Sequence, residues 1–151
     1  MTRALLFSGL ILASPLVSAN ACRGPFPPFE ENLANASIVF VGRVAAVTPI
    51  PQGSSEKSAE LVEITFEVER VWKGKIGRTV KITSDTHSCG FARGGQRGLR
   101  EKWLILATGE ARASTSMLSG NVLLEFEDHR STGNKIPKSL KRKLGKGKAP
   151  N

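Results

Sequence analysis

Apolar and polar residues alternate most cleanly between Leu61 and Lys73. Val62, Ile64, Phe66 and Val68 fall on one side of an extended chain, and Glu63, Thr65, Glu67 and Glu69 on the other. A period of two is the signature of a half-buried β-strand. Arg70 interrupts the alternation, and Trp72 is expected to resume the inward face. Ser37–Val47 reads differently: SIVFVGRVAAV is apolar on both sides, as in a strand buried on two faces or curled into a barrel. Gly42 within it predicts a bend or bulge. Arg78–Ser84 predicts a third strand, with Val80 and Ile82 inward. Trp103–Thr108 (WLILAT) predicts a fourth, buried strand, and Val122–Phe126 a fifth.

The segments between are read from their breakers. Gly24, Pro25, Pro27 and Pro28 enforce an extended lead-in. Phe29–Ala36 has room for about two helical turns, and Glu30 and Glu31 favour its start. Thr48–Glu60 is expected to be a polar loop broken by Pro49, Pro51 and Gly53, and Phe91–Lys102 a basic, Gly-rich loop. Five strands, short turns and little helix predict an all-β domain with small helical additions. A five-stranded OB-type Greek-key barrel suits this length, because closure removes exposed sheet edges.

The first residues belong to a different pattern. Met1-Thr2-Arg3 is a short positive start, Ala4–Ala13 an apolar run, and Ala19-Asn20-Ala21 an A-x-A cleavage site. Residues 1–21 are therefore expected to be a removable export signal, and the apolar run is too short to leave a membrane span in the mature chain. Val17-x-Ala19 offers a second cut, before Asn20. Cleavage after Ala21 makes Cys22 the first residue, and the protein is expected in the periplasm or outside the cell. Lipid anchoring at Cys22 is a lesser alternative, because Ala19 stands where such sites usually carry Leu. Cys89 is the other cysteine of the two. Two thiols in an exported chain most simply join.

Charge divides the remainder. The formal net charge of +9 arises almost wholly in residues 130–151, which hold eight Lys/Arg and no acid, whereas residues 22–129 hold 13 of each sign. The expected organisation is therefore a domain over 22–129 and a basic tail over 130–151. Within the tail, Ile136, Leu140 and Leu144 recur every four residues, one narrow apolar stripe if helical. The tail either docks this stripe on the barrel, stays solvated, or holds the protein to anionic envelope surfaces, lipid head groups or polyanions, through Lys138, Lys141, Arg142, Lys143, Lys146 and Lys148.

Several landmarks then recur in a familiar order. They are the Ala-Cys start, Ile38–Val44, Phe66-Glu67-Val68 with Val71-Trp72-Lys73-Gly74, Ser88-Cys89-Gly90-Phe91, Trp103–Ala107 and Thr115–Asn121. In them the chain resembles the netrin-like module, the fold shared with the N-terminal domain of the tissue inhibitors of metalloproteinases, and more closely its small secreted bacterial versions. The resemblance implies a Cys22–Cys89 bridge. The family's second bridge has no counterpart, since Gly24 and Leu118 stand at its two cysteine positions. It also implies a non-enzymatic protein-binding module whose partner is a metallopeptidase. The contact edge would be Cys22, Arg23, Ser88, Cys89 and Gly90, with the Cys22 α-amine and carbonyl clamping the partner's zinc. Arg23 departs from the small or apolar residues that the family places in the protease's specificity pocket, where a charge is costly.

No other constellation competes. Asp85-x-His87-x-Cys89 would align three metal ligands on an extended chain, but a bridged Cys89 leaves two, too few for a closed site, so no metal or cofactor of the protein's own is expected. His129 is expected to be solvated. The chain carries no H-E-x-x-H, G-x-S-x-G or P-loop motif, so no enzyme is expected. The basic loop after Cys89 could serve a nucleic acid, but the absence of Tyr, the apolar settings of both Trp and the export signal argue against that partner.

Overall fold

The fold is described from a computed structural model covering residues 25–51, 61–87, 89–92, 99–109, 112–126 and 133–151. The expected export signal (residues 1–21), Cys22, Arg23, Ser88, most of the basic loop after Ala92, and His129 lie outside these residues.

The described elements run α1 (Phe29–Asn35), β1 (Ile38–Ile50), β2 (Leu61–Lys73), β3 (Thr79–Asp85), β4 (Lys102–Ala107), β5 (Val122–Glu125) and α2 (Lys138–Leu144). The strands form one antiparallel sheet in the order β3-β2-β1-β4-β5. Residues 113–115 lie between β3 and the end of β4. Thr83 donates its amide to the Ala113 carbonyl at 2.9 Å and accepts from Thr115 at 3.1 Å, while Thr108 and Ser114 exchange bonds of 3.0 and 2.8 Å. These bonds join the two sides of the sheet, giving a small, all-β, barrel-like fold.

Two apolar clusters explain why β1 and β4 are apolar on both faces. Phe40, Val44, Trp103, Ile105 and Ala107 point inward to meet Val62, Ile64, Phe66, Ile82 and Phe91. Val39, Val41, Leu104 and Leu106 point outward, beneath Leu33 of α1 and Leu140 of α2. The helices thus cover the outer face of β1 and β4, an arrangement that neither short helix could sustain alone.

Bulges account for the lapses in alternation. Val41 pairs with Arg70 but Gly42 pairs with Val68, so Glu69 has no opposite number; Trp72 is passed over in the same way. An unpaired residue reverses which side chains face inward. Val71 therefore takes the inner position expected of Trp72, and the indole packs on the outer cluster instead. Ala45 is the third bulge and returns Val47 to the inner cluster. Gly42 lies at the first, where a Cβ would come 2.7 Å from the Glu67 carbonyl oxygen. β1 also runs on through Thr48, Pro49 and Ile50, residues expected to begin a loop, because they pair with Leu61–Glu63.

Glu69 reaches two cations from its bulge. It pairs with Arg43 at 3.1 Å and with Lys102, and Arg43 also meets Glu125 at 2.7 Å. The bond to Glu125 raises the Arg43 pKa above its ordinary value. These pairs are partly exposed and each contributes at most about 1 kcal/mol. Their main effect is to hold four strands in one register.

Candidate functional site

The edge around Cys89 is built by short-range hydrogen bonds. After β3 the chain reverses: the Asp85 carboxylate accepts the His87 amide at 3.2 Å and the His87 carbonyl accepts the Gly90 amide at 2.9 Å. Gly90 sits so close to Asp85 that a Cβ would overlap its carbonyl and carboxylate oxygens. Only glycine fits such an approach. The buried Ser84 hydroxyl accepts the Phe91 amide at 2.9 Å and donates to the Asp85 carbonyl at 3.2 Å.

A second segment braces this turn. Met117 donates its amide to the Cys89 carbonyl at 2.9 Å, and Gly90 forms a bridge with Ser116. Ser116 and Ser119 cap the 3₁₀ turn Met117–Ser119 reciprocally. The Asn121 amide nitrogen donates to the Thr115 hydroxyl at 2.8 Å and to the Ser116 carbonyl at 3.0 Å, while its oxygen accepts from Leu106 at 2.8 Å. Asn32 of α1 reaches the Leu118 carbonyl at 3.0 Å. These bonds give Thr115–Asn121 a structural role in fixing the rim. The Ser-x-x-Ser spacing was a visible cue to that cap; the reach of Asn32 and Asn121 had none. Met117 stands exposed on the rim beside Cys89.

Of the expected contact edge, Cys89 and Gly90 are therefore placed together on a braced turn. Cys89 is half-buried, and no described cysteine is a free thiol. Asp85 and His87 are used in the turn itself, and among the described residues no group of three or more His, Cys, Asp or Glu could hold a metal. A cavity of about 230 Å³ opens nearby, lined by Thr83, Ser84, Asp85, Ser114 and Ser116 among others. Its two buried members, Ser84 and Thr115, spend their hydroxyls on backbone groups.

The basic tail forms a second surface. It docks on the barrel: Leu140 is fully buried, Ile136 packs on the outer cluster, and Leu144 remains 39% exposed. Beyond α2 the chain becomes a strap across β2. The Trp72 indole donates to the Gly145 carbonyl at 3.1 Å, Arg70 donates to that of Lys146 at 3.2 Å, and Lys148 and Val71 exchange backbone bonds of 2.9 and 2.7 Å. Gly147 has φ +76 and crosses within 2.7 Å of Arg70 and 2.8 Å of Trp72, measured from a Cβ it lacks. The glycines that shorten the helix are what allow the strap to lie flat. Lys138, Lys141, Arg142, Lys143, Lys146 and Lys148 are all exposed. No described helix is long and apolar enough to cross a membrane.

Glu30 links the helices. Its pKa is lowered, chiefly by a bond to its own backbone, then by the Ser139 hydroxyl, Lys143 and Arg142. Folding thus favours the ionised form. The contact is at full strength above the ordinary glutamate value of about 4.3 and fades as pH falls through the lower folded-state value. Glu30→Gln is expected to reduce the loss of stability between neutral pH and about pH 3, measured by urea denaturation across that range. An unchanged pH profile would remove Glu30 from the docking of α2.

Compared with models of protein families and with curated proteins, the chain matches none.

Proposed function

We propose that this chain is an exported, non-enzymatic protein-binding module of the netrin-like kind, and that its contact edge is the Cys22 end bridged to the Cys89 turn. The observation that carries this reading is the bracing of Cys89 and Gly90 by Asp85, Ser116 and Met117. A chain end tied to a rigid turn is held ready for a partner and gives up little freedom on binding. The lack of a free thiol at Cys89 supports the bridge. The partner class is a metallopeptidase, with the Cys22 α-amine and carbonyl as ligands to its zinc and Arg23 directed towards its substrate cleft. An amine near its ordinary pKa of about 8 can present a lone pair at neutral pH.

Intact mass of the exported protein is expected to show Cys22 as the first residue and a gain of two hydrogens on reduction. Inhibition of secreted metallopeptidases is expected from that protein and not from a version extended by one residue ahead of Cys22. Two free thiols, a start at Asn20, or equal inhibition by the extended version would overturn the mechanism.

A further inference from the structure

We propose that the face formed by α1, α2 and the strap is a docking surface for an anionic lipid bilayer. Lys138, Lys141, Arg142, Lys143 and Lys146 are exposed on an element fixed to the barrel by Leu140 and by the strap. Glu30 of α1 faces them, bonded to its own backbone and to Ser139 and lying in the field of Lys143 and Arg142, and its single charge leaves the five cations in excess. Glu31 is the other acid on α1.

The choice of a bilayer over a soluble polyanion rests on what lies between the cations. Leu144 is one helical turn beyond Leu140 on the same stripe and remains 39% exposed. With Leu33 and Ala34 of α1 it lines an apolar groove of about 210 Å³, bordered by Lys73, Lys143 and Glu30. Lys73 is held at this border by its bond to the Ala34 carbonyl at 3.0 Å. A polyanion would use the lysines and leave the groove empty. A bilayer surface satisfies both, with phosphates at the cations and the upper acyl region against Leu144.

Docking of this kind differs from insertion of a free amphipathic helix. Ile136 and Leu140 are committed to the barrel, so the surface binds as a preformed patch with a shallow apolar contact. A seven-residue helix would be too short to order itself on a membrane; here folding has already ordered it.

The test is co-sedimentation of the purified full chain with vesicles of phosphatidylglycerol and phosphatidylcholine in equal parts, against vesicles of phosphatidylcholine alone. Binding is expected to the anionic vesicles only and to weaken with salt. The triple substitution Lys141→Gln, Arg142→Gln, Lys143→Gln is expected to lose about fivefold per cation, about a hundredfold together. Leu144→Ser is expected to lose about threefold. Lys81→Gln, the loss of a single charge on β3, is expected to bind as the unaltered chain does, whereas Lys143→Gln alone is expected to lose about fivefold. An unchanged near-ultraviolet circular dichroism spectrum shows that each variant is folded. No binding to anionic vesicles, equal binding by the triple variant, or retention on heparin without vesicle binding would overturn the proposal. The measurement involves no peptidase, so its outcome is separate from that of the inhibition assay.

Discussion

Phe91→Ala is expected to cost about 3–5 kcal/mol, among the largest losses available to a single side chain of the inner cluster. Phe91 is fully buried, and its ring meets Trp103 edge-on at 4.8 Å and Phe66 at 6.4 Å. Phe66 in turn meets Phe40 at 5.3 Å, so Phe91 is a middle link in an aromatic chain through the inner cluster. Its backbone is fixed as well, since the Ser84 hydroxyl accepts its amide. With both its flanking rings and its main chain held, the site has little freedom to collapse around the missing ring, which places the cost towards the upper end of the range. Urea denaturation is expected to show a lower midpoint with an unchanged slope. Leu99→Ala, at a position 49% exposed on the same connection, is expected to change the midpoint little. Equal losses in the two variants would mean that Phe91 does not pin its loop into the barrel.

Phe91 also marks where the sequence stopped being legible. It follows Cys89-Gly90 and precedes a Gly/Arg-rich run, so no periodicity surrounds it and composition assigns it to a loop. Its burial follows from tertiary placement, because the turn at Gly90 brings its ring between those of Phe66 and Trp103. The long strands were readable for the opposite reason. In β2 each inward residue has an outward polar neighbour, and in β1 and β4 apolar residues on both faces announced two coverings, which proved to be the inner core and the two helices. The bulges at Glu69 and Trp72 were not readable, since one unpaired residue leaves the local pattern looking like noise. Arg70 was the visible trace of that slip, but it did not say whether Val71 or Trp72 would turn inward.

The two surfaces were legible to different degrees. The four-residue spacing of Ile136, Leu140 and Leu144 exposed the stripe, while the docking of its first two members depends on an outer face that no local window contains. Gly145 ends α2, and the use of Gly147, letting the strap pass over Arg70 and Trp72, needed the neighbouring strand. At the Cys89 edge, the residues that brace the turn come from β3, the turn before β5, and α1. Their union at one rim is a property of the topology.

Breaking the proposed Cys22–Cys89 bridge is expected to cost about 4 kcal/mol, because it would close a loop of about 70 residues in the unfolded chain. The loss should fall mainly on the unfolded state. The Gly90 turn retains its bonds to His87, Met117 and Ser116 without the sulfur link, so the folded form should keep its strands. The expected result is therefore a native-like spectrum with an urea midpoint well below that of the oxidised protein, both for the reduced chain and for the double substitution Cys22→Ser, Cys89→Ser. Function should separate along the same line. Freed from its tether, the chain end loses the preorganisation that the contact edge depends on, and inhibition should fall. Vesicle binding through α2 should persist, since that face is held by Leu140 and the strap. Identical midpoints with and without reductant would remove the bridge, and with it the reason for expecting a partner at that edge.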